Sequence, residues 1–318
     1  MKKNLITLAI AAALASPLTI QAADSASVSG FAEITYDNYG DGGAGSNAFG
    51  ANGEVDFQAT KGSVTVRIDT DLTLATDTAS TGNDSARIEQ AFFAWKAMDA
   101  VTVIGGVFNN PLGQEANDVT DMEFITHSAV WNIFNGQTVL YGNNIAGVAV
   151  AGGNKMFTGT LAVLNDLQHA TDTDGSMKNS IAAVLNANPM EGLALELGYV
   201  TQETGAENVL DFNAQYDISS FTAGVDVLMA DKAVDTAYNV WAGYAVNDKA
   251  AIKARYEAVS FENSAVDDST RMTVYGTYAI EDNLSVALQY SSGDNASGEA
   301  VSGIMDDTAV RLQFIGTF

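Results

Sequence analysis

The chain of 318 residues has no cysteine and only three prolines, Pro17, Pro111 and Pro189. Without cysteine there is no disulfide framework, so hydrogen bonding and packing alone must hold the protein together. None of the prolines falls inside a segment read below as a strand, which leaves the hydrogen-bonded ladders uninterrupted. Positive charge is also scarce: 14 Lys and Arg stand against 39 Asp and Glu. Such an acidic chain excludes nucleic acid as a partner. Past the N-terminus no apolar run approaches the length of a membrane-spanning helix, so any crossing of a membrane must be made with strands. With 47% apolar residues in a regular pattern, the acidity does not imply disorder.

The N-terminus reads as a secretory signal peptide: Lys2 and Lys3, an apolar stretch from Leu5 to Ile20, then small residues around Ala22 and Ala23. A membrane anchor is the competing reading, opposed by Pro17 and by the small-residue cleavage pattern. The expectation is removal of residues 1–22 and a single exported unit over 23–318. Losing Lys2 and Lys3 leaves twelve basic side chains against thirty-nine acidic ones, a formal charge of −27.

What the chain has in abundance is a dyad rhythm. From Val28 to Phe318, short segments alternate apolar and polar residues. In the last one Val310, Leu312, Phe314 and Phe318 share one face, and Arg311, Gln313 and Thr317 the other. Sixteen such segments are predicted, at 26–37, 51–60, 63–73, 85–97, 100–109, 144–153, 156–166, 178–188, 192–202, 207–217, 220–230, 236–246, 250–260, 270–280, 284–293 and 308–318. Short connections such as Lys61-Gly62, Met98-Asp99 and Ile218-Ser219 alternate with longer polar ones. An even strand count, short turns on the periplasmic side and long loops outside describe an all-β, antiparallel, up-and-down transmembrane barrel in a bacterial outer membrane. Sixteen strands enclose an aqueous channel.

The faces sort by chemistry. Val64, Val66, Ile68 and Leu72, then Leu193, Leu195, Leu197 and Tyr199, and Leu284, Val286, Leu288 and Tyr290 point outward; Arg67, Asp69, Asp71, Glu196, Asp211, Asp226 and Gln289 point inward. A charge on the lipid face costs about 2–4 kcal/mol at the midplane, which enforces the sorting. Tyr216, Phe221, Tyr244 and Tyr278 beside short turns, and Tyr36, Tyr199, Tyr256 and Tyr290 towards the long loops, form interfacial girdles. Phe92 and Phe93 cannot both face lipid, so that strand needs a bulge or an inward aromatic.

The longest gap, Asn110 to Asn143, is the third external loop. It carries Met122, Phe124, Ile125, Val130, Trp131, Ile133 and Phe134, which a solvated loop would not, and the lumen wall is the surface available to cover them. Folded inward, it brings Glu115, Asp118, Asp121 and Glu123 into the channel as a pore constriction. The basic residues with inward parity, Arg67, Arg87, Lys253, Arg255, Arg271 and Arg311, form a wall arc. An acidic loop facing that arc sets a transverse field; alternatively each Arg neutralises a wall carboxylate such as Asp69, Glu89 or Glu257, and both can hold.

The run Gly106-Val107-Phe108-Asn109-Asn110-Pro111-Leu112-Gly113-Gln114-Glu115, preceded by Arg87-Ile88-Glu89-Gln90-Ala91-Phe92, resembles a stretch of β-barrel porins of the OmpL-like and phosphate-selective type. It spans about a tenth of the chain. The resemblance implies a porin. It does not extend to the lysine cluster associated with phosphate selectivity, nor to the "P-E-F-G-G" loop of general trimeric porins, so monomer and homotrimer both stay open.

Other chemistry is thin. His127-Ser128 could suggest a hydrolase, which needs a serine, a base and an orienting polar group held together, but a loop His beside a Ser is common by chance, and Asp172-Thr173-Asp174-Gly175 begins a calcium-loop pattern that is not completed. Asp267-Asp268 and Asp306-Asp307 could meet divalent cations that bridge lipopolysaccharide. No catalysis, cofactor or resident metal is expected. The leading expectation is a porin passing small hydrophilic solutes with a preference for cations, embedded in outer-membrane lipid and lipopolysaccharide. Phe318, a terminal aromatic on the lipid face, resembles the signal read by the barrel assembly machinery. The alternative is an adhesin or structural anchor acting through its external loops.

Overall fold

A computed structural model describes residues 25–40, 46–74, 85–115, 117–137, 141–165, 178–201, 208–295 and 299–318. The segment read as a signal peptide lies outside these residues. The strands run β1 (Ser25–Tyr39), β2 (Ala48–Lys61), β3 (Val64–Leu74), β4 (Ser85–Met98), β5 (Val101–Asn109), β6 (Asn144–Gly153), β7 (Phe157–Asn165) and β8 (Asn179–Met190). They continue as β9 (Leu193–Thr201), β10 (Val209–Ile218), β11 (Phe221–Ala230), β12 (Val234–Ala245), β13 (Ala250–Phe261), β14 (Ser269–Glu281), β15 (Leu284–Asp294) and β16 (Thr308–Thr317). Each strand pairs antiparallel with its sequence neighbours, and β16 pairs with β1, from Phe31 opposite Thr317 to Tyr39 opposite Ala309. The sheet is therefore a closed barrel without an edge. Among the described residues no helix is long and apolar enough to cross a membrane.

Seven connections, at 62–63, 99–100, 154–156, 191–192, 219–220, 246–249 and 282–283, lie at one end with the start of β1 and the end of β16. The first is tight enough to need a left-handed residue, and Gly62 takes it with φ 59°. The other end carries the longer loops. Alternation along each strand puts Val66, Ile68, Leu197, Tyr199, Phe221, Met229, Leu288 and Tyr290 on the exposed outer surface. Asp69, Glu196, Asp211, Asn213, Asp226 and Gln289 are buried inside. The outer aromatics pair across strands, Tyr36 with Phe49 at 5.0 Å and Phe221 with Tyr244 at 4.8 Å between ring centroids.

Two local details depart from simple alternation. In β4 the register against β3 shifts between Asp69 opposite Gln90 and Thr70 opposite Ile88. Glu89 is the extra residue of this bulge and turns inward beside Gln90, both buried. Beyond it Phe92 lies opposite inward Arg67 and Phe93 opposite outward Val66, so the strand has both a bulge and an inward aromatic. The second detail is a correction: Pro189 belongs to β8, one residue from its end. The ladder tolerates it because the register between β8 and β9 jumps from Ala187 opposite Leu195 to Met190 opposite Leu193, so no regular ladder bond requires its missing N–H.

The inner wall is not polar throughout. On β5–β13 the inward positions Ile104, Ala149, Ala162, Leu164, Val184, Val200, Leu228, Ala237 and Val259 are buried in one apolar cluster. Here the strands are apolar on both faces, as buried sheets are. What covers this half of the wall is the third long loop.

Candidate functional site

The loop between β5 and β6, residues 110–143, turns into the barrel at Pro111. Leu112 settles over Gly198 of β9, where a Cβ would stand 2.8 Å from the Leu112 Cγ; the absent side chain makes the hollow that the leucine fills. Gly113 follows with φ 95° and donates its N–H to Glu196 Oε1 at 3.2 Å. Gln114 then reaches Gln215 of β10 at 3.4 Å. The opening turn of the loop is thereby fixed to the polar part of the wall.

The loop next forms the helix α1 (Ala129–Gln137). Ser128 caps it: its Oγ accepts the Trp131 N–H at 3.1 Å. Two carboxylates take other free N–H groups there, Glu115 Oε2 that of Ser128 at 2.8 Å and Glu257 Oε1 that of Ala129 at 2.8 Å. Negative groups at a helix N-terminus are favoured by the unsatisfied N–H groups and the helix dipole. Val130, Ile133 and Phe134, spaced as one helical face, join the apolar cluster of the wall. Burying a large aliphatic or aromatic side chain contributes roughly 1.5–3 kcal/mol. The helix also packs against β11, β12, β13 and the short helix α2 (Glu299–Ser302).

Between Gln114 and α1 the loop meets the basic wall. Lys253 of β13 forms an ion pair with Glu123 and donates to its carbonyl at 3.0 Å. Arg255 donates to the carbonyls of Thr126 and His127 at 2.9 and 3.1 Å. Arg271 of β14 binds Glu257 through two bonds, at 2.6 and 3.0 Å, and donates to the His127 carbonyl at 2.6 Å. Gln289 of β15 accepts the Ile125 N–H at 2.9 Å and donates to Thr126 Oγ1 at 2.8 Å. Phe124 fills the space between, its ring centroid 4.5 Å from the Arg255 guanidinium carbon.

The remaining acidic residues of the loop have distinct places. Glu115 accepts from the loop itself, with His127 Nδ1 3.1 Å from its Oε1. Burial works to raise its carboxyl, but the His127 ring, the Arg255 charge and the Ser128 side chain outweigh it and hold the group below the ordinary range. Asp118 and Asp121 form one turn, joined by the Asp121 N–H to the Asp118 carbonyl at 2.9 Å, and feel the charge of Arg67 across the lumen. Asp121 is exposed to the lumen; Asp118 is buried. Burial, with Asp121 adding, pushes the Asp118 carboxyl up to about 7.

The predicted basic arc thus divides by task. Lys253, Arg255 and Arg271 hold the loop. Arg67 is hydrogen-bonded to Asp69 at 2.7 Å and Arg311 ion-paired with Asp37 at 2.9 Å, and their side chains stay 24% and 23% exposed. Arg87 stands opposite Asp71 on the exposed end of β4. Glu89 receives no arginine bond; Asn144 Nδ2 donates to it at 3.1 Å. Exposed or half-exposed polar side chains of the inner wall gather on β1–β3 and β16, at Thr35, Asp37, Asn52, Asp56, Gln58, Thr65, Arg67 and Arg311. That side of the lumen is the one the loop leaves uncovered.

Sequence reasoning did not find Glu257, Gln289, Gly198 or the carbonyl of His127 as parts of the loop's mooring. Its one available signal was that segments such as 148–151 and 161–164 are apolar at both parities. Ser128 is buried and spends its hydroxyl on the helix cap, and the His127 ring stacks on Trp131 with centroids 3.5 Å apart. His169 and Asp172–Gly175 lie outside the described residues, while Phe318 is exposed on the outer surface with its N–H bonded to the Gly30 carbonyl at 3.1 Å.

Comparison with known proteins gives a family and a fold. A family model described as Gram-negative porin matches residues 7–298. No curated protein matches the chain. Among solved structures, the chain is similar to Salmonella typhi OmpF in complex with daunomycin, with TM-score 0.75 and 12% identity over 92% of this chain and 97% of that one. It is similar to an anion-selective porin from Comamonas acidovorans, with TM-score 0.70 and 12% identity over 93% and 100%. A third likeness is to the trimer form of in-vitro folded OmpT, an outer membrane protein of Vibrio cholerae, with TM-score 0.64 and 13% identity over 93% and 100%. At these identities the likeness to solved structures is one of fold.

Proposed function

The chain belongs to the Gram-negative porin family, a family of outer-membrane channels, and from that premise we propose that it passes small hydrophilic solutes by diffusion, favouring cations. The observation that carries this reading is the third loop moored inside a closed sixteen-stranded barrel. It narrows the lumen to a passage between Asp121 on the loop and Arg67, Arg311, Asp37 and Asp56 on the wall. Glu115 and Glu123 brace the loop instead of facing the solute.

Cation preference follows from this charge balance. Arg67 and Arg311 are each paired with carboxylates of the wall, and Asp121 adds exposed negative charge. A narrow passage with low-dielectric walls focuses that field on passing ions. The anion selectivity of the Comamonas acidovorans porin belongs to that protein; with 12% identity its lumen charges do not carry over.

In the same reading, residues 1–22 are removed on export, Phe318 serves barrel assembly, and the outer apolar face meets lipid, lipopolysaccharide or two further copies. The trimer form of OmpT supports a homotrimer here. The test is purified protein in a planar bilayer under a salt gradient. Discrete conductance steps and a reversal potential on the cation side are expected; a potential on the anion side overturns the charge argument, and absence of conductance overturns the channel.

A further inference from the structure

Among the described residues, Glu54, Asp71 and Glu89 form a buried carboxylate group on the inner wall of β2–β4 in which one oxygen of each lies within 4.8 Å of the others. Glu54 and Asp71 face each other directly across the β2–β3 pair. Glu89 joins them only because the β4 bulge turns it inward. Like charges opposite one another in a sheet repel, and here they are also removed from water: Glu54 and Glu89 are each 2% exposed.

The second observation concerns hydrogen bonding. Glu54 Oε1 and Glu89 Oε2 are buried and accept no hydrogen bond. Buried carboxylate oxygens in proteins are normally satisfied, since an unpaired one costs heavily. Arg67, on the same stretch of wall, spends its Nε on both oxygens of Asp69, at 2.7 and 2.8 Å, and lies 3.7 Å from Asp56, while Arg87 stands opposite Asp71. Asp56 and Asp118 add further negative charge around Glu54. The other oxygen of Glu89 is meanwhile held by Asn144 at 3.1 Å, which fixes the carboxylate in place.

We propose that Glu54, Asp71 and Glu89 bind a calcium ion. Calcium takes oxygen ligands at about 2.3–2.6 Å, so two ligand atoms on opposite sides of one ion stand about 5 Å apart, which matches the spacing of this group. An all-carboxylate set selects a hard cation over zinc or copper. Magnesium demands a more regular octahedron and keeps its water, for which a buried group is poorly suited. The ion supplies a partner for the unsatisfied oxygens of Glu54 and Glu89. It also sits beside Asp118, giving the loop a mooring on β2–β4 opposite the one on β13–β15. This proposal does not depend on conduction.

The experiment is calcium titration of the full-length purified protein in detergent after treatment with chelator, read by calorimetry and by thermal unfolding. Wild type should bind calcium and melt at a higher temperature, reversed by chelator. Glu54→Gln and Glu89→Gln should keep their strand signal yet weaken binding by more than about tenfold, since affinity follows ligand charge. Asp267→Asn with Asp268→Asn, in an external loop, should leave the response unchanged. An undiminished response in both glutamine variants places the ion elsewhere and overturns the proposal. So does a wild type that ignores calcium while the glutamine variants melt higher than it, because the group then holds protons.

Discussion

Arg271 and Glu257, on neighbouring strands of the wall, meet through two bonds of 2.6 and 3.0 Å, and each then reaches a backbone group of the third loop. Arg271 donates to the His127 carbonyl at 2.6 Å and Glu257 accepts the Ala129 N–H at 2.8 Å. The pair therefore joins wall to loop at the point where the loop becomes a helix. A carboxylate and a guanidinium buried together are costly to separate, since either one left alone keeps its desolvation penalty.

Truncating one partner should free the loop without opening the barrel, whose ladder does not involve these side chains. Arg271→Ala leaves Glu257 with Arg255 and the helix N-terminus, and a broken buried pair costs about 3–5 kcal/mol. The expected outcome is noisier and larger single-channel current with an unchanged strand signal by circular dichroism. Current identical to wild type would mean that the apolar contacts alone hold the loop.

A pH dependence follows from Glu115. Its folded value lies below that of the unfolded chain, so its contribution is fully present above about pH 5 and is lost as pH falls through the depressed value. The difference in conductance between wild type and Glu115→Gln should be level from neutrality to about pH 5 and shrink in stronger acid as the wild-type loop loosens. Glu115→Gln has lost the charge at every pH and should behave at neutrality as wild type does in acid.

Selectivity should respond to the two exposed charges of the passage in opposite directions. Asp121→Asn removes negative charge from the loop and should move the reversal potential towards zero. Arg67→Gln frees the carboxylates of Asp69 and Asp56 and should move it further to the cation side. Shifts of the same sign for both variants would show that these residues do not line the route taken by ions.

Most of the barrel was legible because its period is short and physically enforced. Every strand was found within a few residues, and the clash between Phe92 and Phe93 pointed to an irregularity in β4, where Phe92 faces inward and a bulge stands at Glu89. The inward course of the third loop was legible from Phe124, Val130, Ile133 and Phe134, which water would not accept. What the sequence did not reveal were partners set by folding across long separations. Leu112 over Gly198, or Arg271 on the carbonyl of His127, joins residues whose nearness depends on closure and register. The apolar inner wall escaped notice because Leu164 and Leu228 read as ordinary strand residues until something is known to cover them. Pro189 was placed in a turn because a register jump, which a sequence does not display, is what admits it to β8.

The most direct test of the account is the single-channel conductance of a variant lacking residues 112–134, measured beside wild type at high salt. If the moored loop sets the aperture, the variant conducts in larger discrete steps. Steps of unchanged size, from a variant that still forms the barrel, would contradict it.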